Sequence, residues 1–245
     1  MTFDVLPRLY VLPPSHYCER ARWALDHAGI PYVEEKWAVG LHAMKARRIA
    51  AGTTLPILRT ADRVVQGSDM ILDWTGVSGE ASTIEQRLQN RIAVLVRRFI
   101  YAGTLTDRPA EVRRLLLDGV PAWEGRLASL MWPALRRLMI AGMNARPALL
   151  DELEQELSSE LDWFDQQVAG GRYLSGDRFG RADITAASLL SPLARPIACP
   201  LYRDFVLPDR LEATLDRWSA RPGLQWVAHI YETHRRRPER AAIAS

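Results

Sequence analysis

The spacing of apolar residues changes near residue 83, and this change limits the fold of the chain more than any single motif does. Before it, short apolar runs alternate with helical patterns; after it, helix-period positions continue almost to the end. Residues 8–12, Arg-Leu-Tyr-Val-Leu, form a short apolar run stopped by Pro13-Pro14, which cannot continue a hydrogen-bonded ladder. Ser15 is a good N-cap for a helix that carries Ala21, Ala24, Leu25 and Ala28 and ends at Gly29. Ile30 to Trp37 reads as a second strand, and residues 40–51 as a shorter helix. Residues 55–58 and 63–66 read as a hairpin, and Ser68 is expected to cap a third helix through Met70, Ile71 and Trp74. Tyr10 is expected in the core of the first strand.

Residues 1–77 therefore predict an α/β domain, and residues 83–245 an all-helical one, joined by the Gly- and Ser-containing stretch Thr75 to Ser82. The main helices expected in the second part are Ile84–Tyr101, Glu111–Leu117, Trp123–Met143, Leu149–Val168, Ile184–Leu193 and Leu211–Ala220. Near the start of the Ile184 helix, Phe179-Gly180-Arg181-Ala182-Asp183 has the form of a capping box and hydrophobic staple. Asp183 is placed to reach back to the cap N–H, while Gly180 lacks the reciprocal side chain.

Charge and cysteine content exclude several classes of function. The formal net charge is only +3, with arginines scattered among carboxylates rather than gathered in a stripe, so no nucleic-acid partner is expected. The compact basic cluster Arg235 to Arg237 reads as a solvated tail. Cys18 and Cys199 lie far apart without paired spacing, which suggests neither a disulfide framework nor a metal site. The opening residues lack a basic segment followed by a long apolar run, and no segment offers the ~20 apolar residues of a membrane span, so a cytoplasmic protein is expected. Membrane contact is not expected either, although Arg136-Arg137 among apolar residues has the pattern of a helix that could lie on a membrane surface.

The stretch Pro14-Ser15-His16-Tyr17-Cys18-Glu19-Arg20-Ala21-Arg22 places a hydroxyl and a thiol three residues apart at a helix start. A helix N-terminus favours a thiolate, so Cys18 is a redox candidate, while Ser15 offers a donor at the same end. The plain alternatives are a cap at Ser15 and a small core residue at Cys18. Leu55-Pro56 precedes the hairpin, and Gly67-Ser68-Asp69-Met70-Ile71 begins the third helix, where unpaired N–H groups suit an anion.

Taken together, these elements resemble the cytosolic glutathione transferase superfamily, in which a thioredoxin-like N-terminal domain precedes an all-helical C-terminal domain. Ser15 stands where the serine and cysteine classes carry their active residue. Leu55-Pro56-Ile57-Leu58 resembles the family's cis-proline element, which leaves the main chain of the residue at Leu55 free to pair with glutathione, an extended peptide. Ser68 resembles the serine that holds the γ-glutamyl carboxylate. Gly67 departs from the acidic residue or glutamine usual before it, and Asp69 is a candidate to supply that carboxylate. His42 resembles the residue for the glycine carboxylate, with a surface histidine as the alternative.

The resemblance implies glutathione as co-substrate, an apolar electrophile as second substrate, no metal, and a homodimer. Residues 107–144, with Trp123, Met131, Trp132, Leu135, Met139 and Met143, are expected to shape the electrophile pocket or to fill ordinary core. Two other functions fit the same pattern: a non-catalytic protein binding glutathione or an apolar ligand, and a thiol reductase using Cys18.

Overall fold

The computed structural model describes residues 5–79, 82–202 and 205–235. Its first part is built on a four-stranded sheet of order β2-β1-β3-β4, comprising β1 (Arg8–Val11), β2 (Val33–Lys36), β3 (Ile57–Arg59) and β4 (Val64–Gln66). β1 pairs parallel with β2 and antiparallel with β3, and β3 and β4 form the expected hairpin. The parallel pair needs a crossover, which is α1 (His16–His27). α2 (Leu41–Arg47) and α3 (Ser68–Thr75) complete this part, a thioredoxin-like arrangement.

From Thr83 onward the regular elements among the described residues are all helical. A single long helical run opens this part, as α4 (Thr83–Arg87), a π turn (Leu88–Ile92) and α5 (Ala93–Thr104). It is followed by α6 (Pro109–Leu116), α7 (Ala122–Leu130), α8 (Trp132–Gly142), α9 (Leu150–Val168), α10 (Arg181–Ala194), α11 (Asp209–Ser219) and α12 (Pro222–His234).

The structure departs from the sequence expectations at several points. The stretch Trp123–Met143 breaks at Met131, next to Pro133, whose ring and missing N–H suit a helix's first turn but not its interior. α12 is an additional helix, because Pro222-Gly223 resembles a turn in sequence yet Pro222 occupies the first helical position. Gly67, not Ser68, is the N-cap of α3, and Ser68 is its first residue.

The two parts share a core. Trp23 and Ala24 of α1 and Leu72 of α3 lie in one apolar cluster with Phe99, Leu161, Leu190 and Tyr231 of the helical part. α10 is buried from Arg181 to Leu193, and its Ala- and Ser-rich sequence lets neighbouring helices approach closely. Asp183 holds its N-terminus, accepting the N–H of Gly180 at 2.8 Å as expected and that of Leu174 at 2.8 Å. Phe179 stacks on His234, with ring centroids 4.1 Å apart.

The helices α6 to α8 pack on the first part through Ala38 and Val39, which join Val112, Leu116, Trp132 and Leu135. Buried Glu124 fastens that contact by accepting from Lys45 at 2.5 Å and from the Ala38 N–H at 3.1 Å. Tyr10 lies in the core against Trp37, centroids 4.4 Å apart.

Arg235 is not part of a solvated tail. Its guanidinium is buried, donating at 2.8 Å to Glu19 and at 2.8 Å to Asp26 of α1. Arg236 and Arg237 lie outside the described residues.

Candidate functional site

Pro13 and Pro14 end β1 and turn the chain into α1, leaving Ser15 in extended conformation at the helix cap. Its Oγ accepts the Cys18 N–H at 3.3 Å, so its own hydroxyl hydrogen is free to donate outward. Tyr202 ties this turn to the helical part by donating to the Pro14 carbonyl at 2.8 Å. Ser15 lies on the wall of a cavity of about 460 Å³ between the two parts. His42 and Leu55 line the same cavity, as do Arg97 and Tyr101 of α5 and Met139 of α8.

The expected site residues divide into two groups. Ser15, His42 and Leu55 come together at the cavity. The Leu55–Pro56 peptide is cis, and neither the N–H nor the C=O of Leu55 has a backbone partner among the described residues, leaving this main chain available to an extended ligand. Pro56 is buried directly behind it. The Nδ1 of His42 accepts the Gly40 N–H at 3.1 Å, which puts its proton on Nε2, and burial lowers its pKa.

Cys18, Ser68 and Asp69 do not line the cavity. Cys18 is fully buried with Leu9, Val11, Leu25, Leu58 and Ile71, and burial pushes its thiol pKa up, the opposite of a reactive thiolate. The third residue of α1 lies on the face that packs on the sheet, where Leu9 and Val11 of β1 share its cluster. Ser68 is 3% exposed and accepts from Arg20 at 2.9 Å through Nε and at 2.6 Å through Nη2. Gln89 of the π turn accepts from the same guanidinium at 2.8 Å and donates to Asp69 at 3.2 Å. Arg20, Ser68, Gln89 and Asp69 thus form one network linking α1, α3 and the helical part. Burial lowers the Arg20 pKa to about 10 against the opposing pull of Asp69 and Glu85.

Gly67 has φ +104°, where a side chain is strained, and a Cβ there would lie 2.7 Å from Asp69 Oδ1. The carboxylate of Asp69 therefore fills the space a side chain at position 67 would enter. Gly67→Ala is expected to cost about 1–3 kcal/mol through backbone strain, with the crowding of Asp69 added. Denaturant unfolding checks this; a variant as stable as the parent would contradict the assigned backbone.

Sequence reasoning assigned no role to His16, Arg97, Tyr101 or Tyr202, although all line the cavity. The one local signal for Arg97 and Tyr101 was their i,i+4 spacing beside the Val96–Ile100 stripe of α5. Tyr17 also lines the cavity, but its hydroxyl donates to the Gln89 carbonyl at 3.3 Å. Of the six residues singled out in 107–144, Leu135, Met139 and Met143 line the cavity, Trp132 is buried, and Trp123 and Met131 are exposed. Among the described residues no cluster of three or more His, Cys, Asp or Glu could hold a metal ion, and no helix is long and apolar enough to cross a membrane.

His16 is 5% exposed, with its Nε2 buried and without a hydrogen-bond partner. Burial, then the cations of Arg97 and Arg20, lower its pKa to about 3. An unfolded histidine titrates near ~6.5, so below that pH the unfolded chain takes up a proton that the folded chain refuses. Stability from this residue is complete above ~6.5 and is lost as pH falls toward the folded value, at up to about 1.4 kcal/mol per pH unit. Between about pH 6.5 and 5, His16→Asn should remove about 2 kcal/mol of this acid-induced loss. Urea unfolding at several pH values measures it; an unchanged slope in the variant would contradict a neutral buried His16.

The family models for the glutathione S-transferase N-terminal and C-terminal domains match residues 9–75 and 127–205. Among solved structures, the glutathione transferase GSTFuA3 of Phanerochaete chrysosporium is similar with a TM-score of 0.60 at 16% identity, over 94% of this chain and 97% of its own. A Ceriporiopsis subvermispora glutathione S-transferase in complex with glutathione gives 0.59 at 14% identity, over 96% and 100%. Glutaredoxin 2 of Salmonella typhimurium, also in complex with glutathione, gives 0.53 at 14%, over 93% and 100%. No curated protein sequence matches at a significant level.

Proposed function

Because this chain belongs to the glutathione S-transferase superfamily, we propose that it binds glutathione along Leu55, activates its sulfur as a thiolate beside Ser15, and transfers it to an apolar electrophile. The observation that carries this reading is the Ser15 hydroxyl at the N-terminus of α1, on a cavity that α5 and α8 line largely with apolar side chains. Glutathione in two of the similar structures supports the peptide's place in the reading. The open main chain at Leu55 supplies an edge for it to pair with. His42, with its Nε2–H unclaimed by Gly40, is assigned to the glycine carboxylate.

The γ-glutamyl end is assigned to the start of α3. Ser68 accepts two N–H groups from Arg20, so its own hydroxyl hydrogen is left to donate, and Asp69 supplies the carboxylate that Gly67 lacks. A homodimer and a cytoplasmic location belong to the same reading and rest on the family resemblance. A thiol reductase using Cys18 is disfavoured by the burial of that thiol away from the cavity.

Calorimetric titration with glutathione, followed by conjugation assays on a panel of aryl halides and isothiocyanates, tests the proposal. Saturable binding and turnover are expected, with Cys18→Ala retaining turnover per folded molecule. Failure to bind glutathione would overturn the reading, and binding without turnover on any electrophile would favour a carrier protein.

A further inference from the structure

Among the described residues, those lining the cavity include no aspartate or glutamate, yet two are arginines. Arg195 is neutralised outside the cavity, 2.6 Å from Asp216. Arg97 makes no ion pair among the described residues, and its Nε is buried without a hydrogen-bond partner. It sits close enough to His16, Tyr17 and Tyr101 for its charge to shift all three pKa values. Val96, Ile100, Met139 and Met143 line the same cavity. A partly buried guanidinium among apolar side chains is costly unless an anion meets it.

We propose that the second substrate is an apolar electrophile bearing a carboxylate, which Arg97 receives while the apolar body lies against α5 and α8. This rests on the glutathione reading given above. With the sulfur at Ser15, the peptide along Leu55 and its two carboxylates at His42 and the start of α3, Arg97 is left on the helical wall for the other reactant. Arginine presents N–H donors in a fork that fits a carboxylate. In the transfer the thiolate sulfur forms a C–S bond with the electrophilic carbon while the carbon–halogen bond breaks. The halide leaves with that bond's electron pair, and the glutathione proton passes to solvent.

The test uses two pairs of compounds that differ only in charge. Binding of naphthoate and its methyl ester is measured by equilibrium titration, and turnover with glutathione is measured on para-bromomethylbenzoate and its methyl ester. The full chain should prefer acid to ester roughly ten- to a hundred-fold, the range of one charge-assisted hydrogen-bonded contact. Arg97→Gln should bring the acid-to-ester ratio close to one, and Arg97→Lys, which keeps the charge, should retain part of it. A parent protein without the acid preference would overturn the proposal, as would a preference that survives in Arg97→Gln. Absent turnover of both bromomethyl compounds beside a persisting naphthoate preference would count against the transferase reading while supporting the anion site.

Discussion

Replacing Ser15 by alanine is expected to lower kcat/KM for glutathione conjugation about 10- to 100-fold while leaving glutathione affinity largely intact. A thiol with the reference pKa of ~8.5 is only about 3% ionised at pH 7, and lowering that pKa by about two units requires roughly 2.7 kcal/mol. The start of α1 supplies about 0.3–1 kcal/mol, and a hydroxyl donating to a thiolate about 1.5–3 kcal/mol. The hydroxyl is therefore the larger contributor. It can donate without losing a proton itself, because its acceptor side is already engaged by the Cys18 N–H. Alanine also removes the helix cap, at about 1 kcal/mol, whereas glycine removes the hydroxyl with only a few tenths lost from capping. Ser15→Gly should thus show the same kinetic loss with little change in melting temperature. Equal turnover in the parent and both variants would remove Ser15 from the chemistry.

The largest stability effect is expected at Arg235. Its guanidinium joins Glu19 and Asp26 across the contact between α12 and α1 and lies 5.4 Å from the Trp23 ring centroid. Glu19 is fully buried. Arg235→Ala leaves that carboxylate in the core without its nearest partner, and removing one member of a buried pair costs about 3–5 kcal/mol. For a chain of this size the melting temperature should fall by about 6–20 °C. Arg235→Lys should recover part of the loss, since a single ammonium can meet one of the two carboxylates but not both in the same geometry. A loss below about 1 kcal/mol would return Arg235 to the class of surface charges.

Arg235 also shows where a sequence stops being readable. The strand order, most of the helices, the Ser15 cap, the Leu55–Pro56 element and the Asp183 half-box all depend on neighbours a few residues away and were legible, whereas the break at Met131 and the helix α12 were not. The partners of Arg235 lie at the other end of the chain, so only its local appearance as a basic run could be read. Arg20 raises the same difficulty. Its bond to Ser68 depends on α1 and α3 packing side by side on the sheet, which no local pattern encodes. At Gly67 the sequence showed a missing side chain, but only the backbone angles reveal a position that favours glycine, with Asp69 in the vacated space. Cys18 was ambiguous because helix position favours a reactive thiolate and burial opposes it. The packing of α1 on the sheet decides for burial.

The central claim is that the Ser15 end of α1 holds glutathione as its thiolate. A pH titration of glutathione bound to the protein, followed by the ultraviolet absorbance of the thiolate, tests it directly. The bound thiol should ionise about two units below its free value, and in Ser15→Gly most of that shift should vanish while glutathione remains bound. A bound thiol that ionises like free glutathione, or a shift that persists unchanged without the Ser15 hydroxyl, would contradict the account.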